Sequence, residues 1–331
     1  MTIRRLFGLG PLLAACLAVT AAASGGARAD DASNYPQRPV KVVVGYTPGG
    51  ATDIIARLVA SELSEEMGQP FIVENKPGAG SNIATENVVR SAPDGYTLLV
   101  MTIANASNMS VYKHVNYDTN KDLVPIAQLM ASPSVLVASP KSGIDSLQAL
   151  IKEAKAHPGT VTYASTGVGG SPHLAGEMLK LHAGINVVHV PYKGTTPALT
   201  DLIAGTVSVG FVTTLGMVDQ MKAGNIRPLA VAYSSHLPEL PDVPTMAEAG
   251  LPDFEVTSWN GMAAPAGTPK AITDKLGAAV NRILQKPKIQ ERIRGLGGIV
   301  ILQSPQQFGA FIQAETDKWA KVVKAVGISI E

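Results

Sequence analysis

The sequence predicts an α/β protein of two domains joined at a hinge that the chain crosses twice. Three observations predict it. Short apolar strands run into glycine-bearing turns and then into helical periodicity, the strand–turn–helix–strand order of a mostly parallel sheet. Such units fall into two similar blocks, about 38–131 and 135–235. Extended chain passes between the blocks near 133–137 and returns near 256–259, and two crossings make a hinge. The expected boundaries are 30–133 with 257–331 for the first domain and 134–256 for the second. One large doubly wound sheet is the competing architecture.

The elements follow in order. Residues 40–44 (Val-Lys-Val-Val-Val) form a buried-strand run stopped by Pro48-Gly49-Gly50. Residues 53–63 set apolar side chains at helical spacing, and a short strand covers 71–75. A helix over 81–91 and the turn Pro93-Asp94-Gly95 lead into a strand at 97–101. In the second block, strands are predicted at 135–138, 161–164, 187–190, 207–212 and 228–232. Helices are predicted at 146–157, 172–184, 196–204 and 216–223. Prolines break regularity over 237–253, extended chain returns at 256–264, and helices at 269–285, 287–295 and 305–326 close the chain.

Composition narrows the function. The chain has 331 residues, 46% hydrophobic and 16% charged, enough to bury a core and too apolar for disorder. Formal net charge is +1. The first 29 residues carry Arg4, Arg5 and Arg28 and no acid, so the remainder has 24 basic against 26 acidic residues. That balance excludes the basic stripe of a nucleic-acid groove. A single cysteine, Cys16, excludes an internal disulfide framework or a cysteine metal site.

The N-terminus predicts export. Arg4 and Arg5 precede an uncharged apolar or small-residue run over 6–23, and Ala27-Arg28-Ala29 stands as a cleavage site before Asp30. A cleaved signal peptide over 1–29 and a periplasmic location are therefore expected. A retained anchor and lipidation at Cys16, within the lipoprotein-like box Leu13-Ala14-Ala15-Cys16, are the alternatives.

Three turns sit where a strand gives way to a helix. They are Thr47-Pro48-Gly49-Gly50-Ala51-Thr52-Asp53, Gly78-Ala79-Gly80-Ser81-Asn82, and Ser165-Thr166-Gly167-Val168-Gly169-Gly170-Ser171. Ligands of open α/β domains gather at the C-terminal ends of strands. Helix N-termini there present unpaired N–H groups and partial positive charge, and glycine lets the backbone approach an anion. A small carboxylate held largely by main chain is the implied ligand. The competing account makes glycine and proline plain turn formers, with Thr52, Ser81 and Ser171 capping helices.

The first of these turns, with Tyr46, resembles the first loop of the tripartite tricarboxylate transporter receptors, the Bug (TctC-like) family. Further segments resemble that family in the same order: Glu74-Asn75-Lys76-Pro77-Gly78-Ala79-Gly80, Asp94-Gly95-Tyr96-Thr97-Leu98-Leu99 and Pro191-Tyr192-Lys193-Gly194. Leu240-Pro241-Asp242-Val243-Pro244-Thr245 and Ala263-Ala264-Pro265-Ala266-Gly267-Thr268-Pro269 complete the set. The resemblance implies a type II-like periplasmic-binding-protein fold with a β hinge, in which an interdomain cleft captures a carboxylate for an inner-membrane transporter. It implies no cofactor, no metal and no catalysis, and a monomer is expected. Carried over by position, Thr47, Gly49, Gly50, Ala51, Thr52 and Asp53 match the first loop, and Ser81 and Asn82 the second. Ser165, Thr166, Gly169, Gly170, Ser171 and His173 match the loop of the second domain. Thr102, Ile103, Ala104, Asn105 and Thr213 match the variable end of the pocket. Many relatives carry an aspartate after the phenylalanine that corresponds to Phe211. Here Val212-Thr213-Thr214 follows, which favours a plain carboxylic acid over an amino acid.

Other chemistry finds little support. Gly169-Gly170-Ser171-Pro172-His173 lacks the last glycine of a G-x-S-x-G elbow, and neither a P-loop nor an H-E-x-x-H motif occurs. A serine hydrolase using Ser171 and His173 remains an alternative from another class, as does a ligand sensor docking on a signalling kinase. Asp53 is expected to orient the first loop by accepting N–H bonds. Trp259 is expected to pack at the hinge, Lys193 to lie on the surface, and bulky substitution at Gly49 or Gly170 to abolish binding.

Overall fold

The computed structural model describes residues 34–192, 194–214 and 216–330. The expected signal peptide over 1–29, Cys16 and Lys193 lie outside the described residues.

The strands are β1 (Val40–Val44), β2 (Phe71–Asn75), β3 (Thr97–Thr102), β4 (Leu123–Ala138), β5 (Thr162–Ser165), β6 (Val188–Pro191), β7 (Val209–Thr213), β8 (Arg227–Ala232) and β9 (Thr257–Pro265). The helices are α1 (Ala51–Met67), α2 (Asn82–Val89), α3 (Ile103–Val111), α4 (Thr119–Asp122), α5 (Leu147–Ala156), α6 (Ser171–Ala183), α7 (Thr195–Ala204), α8 (Val218–Lys222), α9 (Lys270–Gln285), α10 (Pro287–Gly295) and α11 (Pro305–Val326). The sheet runs β2-β1-β3-β9-β4-β7-β5-β6, with β8 also pairing β4. Pairings among β1, β2 and β3 and among β5, β6 and β7 are parallel, whereas those to β4 or β9 are antiparallel. This is the two-domain α/β fold expected, with a β hinge.

The hinge is the long strand β4. Its first part pairs β9 from Leu123 opposite Pro265 to Pro133 opposite Thr257. From Ser134 to Ala138 it pairs β7 on one side and β8 on the other. Register shifts at Pro125/Ala127 and Gln128/Met130 mark bulges, which bend and twist a strand. The sequence disclosed only 135–138 of this strand. Pro125, Gln128, Ser132 and Pro133 interrupt the apolar pattern, although β4 is buried nearly throughout. Strand and helix boundaries elsewhere fall close to those expected, but the sequence reading contains neither α3, whose Asn105, Ser107 and Asn108 leave no apolar stripe, nor the one-turn α4.

Helix α11 fastens the hinge. Trp259 on β9 and Trp319 on α11 are fully buried, and both indole N–H groups donate to one Glu315 carboxylate oxygen at 3.2 and 3.1 Å. Lys318 pairs with the same carboxylate. Two donors and a cation offset the desolvation of a buried acid. The Trp259 ring also meets Phe308 and Phe311 edge-on. Trp259 therefore packs the hinge, as expected. Helix α11 packs further against α3 in the first domain and α6 in the second.

Gly261 makes this closeness possible. A Cβ there would lie 2.0 Å from the Phe308 ring. Gly261→Val is expected to destabilise the protein by about 1–3 kcal/mol through overpacking, read as a lower urea midpoint. An unchanged midpoint would show that α11 is not pressed against β9.

Candidate functional site

The loops after β1 and β5 have the same construction. Each places a glycine with positive φ before a second, extended glycine that caps a helix. Gly49 (φ 86°) precedes Gly50 and α1; Gly169 (φ 80°) precedes Gly170 and α6. In each, the third helical residue reaches back to the first glycine. The Gly49 N–H donates to Asp53 Oδ2 at 2.9 Å, and the Gly169 N–H donates to His173 Nδ1 at 3.1 Å. These bonds fix the glycine turn against the helix start. They leave the amides of the first helical turn without intrahelical acceptors, as at any helix N-terminus.

Asp53 is buried and tied three ways. Besides Gly49, Arg57 Nε donates to Oδ2 at 2.9 Å and Asn75 Nδ2 to Oδ1 at 2.8 Å. The Arg57 hydrogen bond, helped by those from Gly49 and Asn75, outweighs burial and brings the carboxyl down to about 2. Asp53 is thus ionised and turned into its loop.

His173 is its counterpart in the second domain. Its ring stacks on His189 with centroids 4.2 Å apart, and His189 stacks on Tyr163 at 4.8 Å. Burial, with His189 beside it, pushes the His173 imidazole down to about 4. A neutral ring is what an Nδ1 acceptor requires. Burial also lowers His189, whose Nε2 lies 2.6 Å from Ser165 Oγ. Glu177, held by Tyr163 and Lys180, completes the charged groups around the stack.

Between the loops lies a cavity of about 310 Å³. From the first domain Tyr46, Thr52, Thr102, Ile103 and Ala104 line it, and from β9 Ser258 does. From the second domain come Ser165, Thr166, Gly169, Gly170, Ser171 and Thr213, together with an apolar group on α7 and β7. No charged side chain lines it among the described residues. The hydroxyls are positioned by neighbours. Tyr46 Oη and Thr102 Oγ1 are 3.0 Å apart, and Asn260 Nδ2 donates to Thr52 Oγ1 at 3.1 Å. Ser171 Oγ is buried and has no hydrogen-bond partner among the described residues.

Of the residues singled out in the sequence, Thr52, Thr102, Ile103, Ala104, Ser165, Thr166, Gly169, Gly170, Ser171 and Thr213 are brought to one wall or another of this cavity. Thr47, Gly49 and Gly50 are exposed in the first loop, and Ala51 opens α1. Asp53 and His173 brace the loops from behind. Asn105 and Asn82 are occupied structurally, and Ser81 is buried with its Oγ unpartnered among the described residues. Asn105 Oδ1 accepts the Thr102 N–H and its amide donates to Thr85. Asn82 Oδ1 accepts from Asn108 and Tyr117. Ser81 adopts φ 78° and packs so near Gly45 that a Cβ on Gly45 would sit 2.0 Å from its Oγ. The backbone of Gly170 is extended, and the nearest atom to an added Cβ is at 3.5 Å. The conformationally demanding glycines of this loop are Gly167 (φ 131°) and Gly169 (φ 80°).

Sequence reasoning missed His189 and the apolar wall, and it placed Asn260 at the return crossing without giving it a role. That wall had a signal: Thr195, Ala198, Leu199 and Leu202 recur at helical spacing, which marks a buried face without saying what covers it. Among the described residues no helix is long and apolar enough to cross a membrane, and no cluster of His, Cys, Asp or Glu could hold a metal ion.

Comparison with known proteins gives a consistent picture. The profile of the family described as "Tripartite tricarboxylate transporter family receptor" matches residues 55–328. Protein BugT of Bordetella pertussis is 36% identical over 321 residues, 96% of this chain and 98% of its own length. Among solved structures, R. palustris Rpa4515 with adipate superposes with a TM-score of 0.78 at 35% identity, covering 89% of this chain and all of that one. MatC from Rhodopseudomonas palustris with bound malate gives a TM-score of 0.75 at 33% identity, covering 87% and 100%.

The His173 geometry has a pH consequence. A histidine ordinarily near 6.5 that falls to about 4 on folding makes the unfolded chain the better proton binder between those values. Its contribution is whole above pH 6.5, is lost as pH drops towards 4, and changes no further below. The melting temperature is expected to fall over that window, and His173→Asn, which keeps an acceptor for the Gly169 N–H, is expected to flatten the fall. An unaltered profile in the variant would refute the assignment.

Proposed function

This chain belongs to the tripartite tricarboxylate transporter receptor family, and from that premise we propose that it captures a small carboxylate in the cavity between its two domains and delivers it to a tripartite membrane transporter in the periplasm. The observation that carries the reading is the cavity itself. Neutral hydroxyls line it from both domains, Thr52 and Ser171 bring two like-built helix starts to it, and among the described residues no acidic side chain stands in the lining to repel an anion. The relatives solved with adipate and malate support a carboxylate as the ligand.

The domain boundaries we assign are 34–133 with 257–330, and 134–256, where β4 exchanges β9 for β7 and β8. A ligand touching both domains favours their closed arrangement, and that arrangement is what a transporter would recognise. The amides at the starts of α1 and α6 and the hydroxyls of Thr52, Thr102 and Ser171 are the groups we assign to the ligand. Ser171 is the sharpest case, because its Oγ is buried and unpartnered among the described residues. A carboxylate oxygen would supply the missing acceptor.

A thermal-shift screen of small organic acids on the mature protein is expected to find ligands that raise the melting temperature. Ser171→Ala is expected to weaken the best of them by roughly tenfold or more, the worth of a hydrogen bond to a charged group. The unliganded variant is expected to melt at or above the wild-type temperature, since a buried hydroxyl without a partner contributes no stability. Equal affinity in titration calorimetry would remove Ser171 from the site. A screen in which no carboxylate shifts the protein would remove the receptor reading.

A further inference from the structure

The domains also meet at a second gap. A cavity of about 470 Å³ opens beside the hinge, with Gln290, Arg294 and Leu302 on the first-domain side and Val218, Tyr233 and Leu237 on the second-domain side. Val218, Tyr233 and Leu237 belong to a different hydrophobic cluster from Trp259 and Trp319, so this gap is separate from the join made by α11. Space rather than interlocked side chains lies between its walls, and rotation of one domain can change its width without breaking a packed core. Thr214 and Gly297 also line it, and there the domains are tied. Thr214 Oγ1 of the second domain donates to the Gly297 carbonyl of the first at 2.5 Å and lies 3.0 Å from Ser132 Oγ on β4. A threonine hydroxyl has one proton. With that proton on Gly297, Ser132 is the donor to Thr214. Ser132 and Thr214 are both buried. Each end is anchored. The Gly298 N–H donates to the Ile293 carbonyl at 2.9 Å and Ile299 pairs with Ala131, which fixes the acceptor to α10 and β4. Thr213, just before Thr214, pairs with Ser134, and the Thr214 carbonyl accepts the Met217 N–H at 3.1 Å. Thr213 and Met217 both line the cavity assigned to the ligand.

We infer that the Thr214 hydroxyl is a hinge catch. It holds the two domains in the arrangement that brings Thr213 and Ser171 into one cavity with Thr52 and Thr102, and it is thereby a positioning residue for ligand capture. Its effect on affinity rests on the carboxylate-receptor reading; its effect on the domain arrangement rests on the hydrogen bonds alone. A bond present in one arrangement of two bodies and absent in another biases their equilibrium by its net worth, roughly threefold to tenfold for a neutral pair. A receptor that opens to admit its ligand holds the competent arrangement as a minority before binding, and apparent affinity then scales with that minority fraction. The catch touches no ligand. It acts through the Thr213–Met217 turn, one side of which lines the cavity while the other carries the tie to Gly297.

Thr214→Val keeps the shape of the side chain and removes the hydroxyl; Thr214→Ser keeps the hydroxyl. Cys16 is the chain's single cysteine and lies in the expected signal peptide, so the mature protein accepts spin labels at Glu65→Cys on α1 and Lys152→Cys on α5, both exposed. Pulsed electron resonance on the unliganded protein is expected to show a smaller fraction at the separation of this structure in Thr214→Val than in wild type, with Thr214→Ser restoring it. Calorimetry with the best carboxylate of the thermal screen is expected to show Thr214→Val binding roughly threefold to tenfold more weakly and Thr214→Ser within about twofold of wild type. Ser132→Ala, which removes only the donor to Thr214, is expected to move both readouts the same way by less, and it carries the test if Thr214→Val does not fold. A lower melting temperature with unchanged distances and affinity would make Thr214 a packing group and overturn the catch. Tighter binding in Thr214→Val would mean that the hydroxyl holds the domains in the wrong arrangement, and would overturn it equally. Should no carboxylate bind, the receptor reading fails, and the label distances alone still decide whether the catch exists.

Discussion

A backbone N–H drawn back to the third residue of the following helix shapes both loops of this protein. The acceptor is a carboxylate in one domain and a neutral imidazole in the other, yet the backbone result is alike. Gly49 and Gly169 both take positive φ, Gly50 and Gly170 both extend, and α1 and α6 both begin at the residue after the second glycine. Without the tie, a glycine pair would sample many conformations, since glycine loses more freedom on ordering than any other residue. With it, the helix start is held in one position and its free amides point one way. The rest of the cleft depends on that pre-organisation, because a ligand meeting ordered donors does not have to order them.

The hinge brings those two loops together. Strands β4 and β9 belong to the first domain at one end and deliver the chain to the second at the other. Asn260 and Ser258 on β9 show what this means locally: one orients the Thr52 hydroxyl, and the other lines the cavity. The Trp259–Glu315–Trp319 cluster lies between them on the strand's opposite face, so the same few residues serve the core and the cleft. Period-two alternation along a strand makes this division possible.

Legibility in the sequence followed the strength of local signals. β1, β2 and β3 could be read because each is a short apolar run with glycine or proline close by on one side, and the three C-terminal helices because their apolar stripes are long. β4 could not, since a hinge strand flanked by neighbours on both sides hides polar and proline residues that would be fatal in an isolated amphipathic strand. In the site, loops announced themselves through glycine. The side chains that brace them did so only in part: Asp53 suggested a loop-orienting acid, but nothing in the sequence set His173 against Gly169 or His189 against Ser165, contacts that exist only once α6 and β6 are packed. The apolar wall was hidden for a different reason. A leucine lining a binding cavity and a leucine filling a core have the same spacing and the same hydropathy, and only the volume left beside it separates them.

Asp53 poses an apparent contradiction, an ionised carboxylate within a loop assigned to an anion. The hydrogen bonds resolve it. Both oxygens are engaged, one by Gly49 and Arg57 and the other by Asn75. Arg57 sits on the same helix one turn on and supplies the opposite charge at 2.9 Å. At the distance of the cavity the pair acts as a small dipole, whose field falls away faster than that of a lone charge. What remains near the ligand is the partial positive charge of two helix starts. On the proposed reading, such a cleft attracts an anion with no lysine or arginine of the described residues in its lining, through donors that hold their places before the ligand arrives.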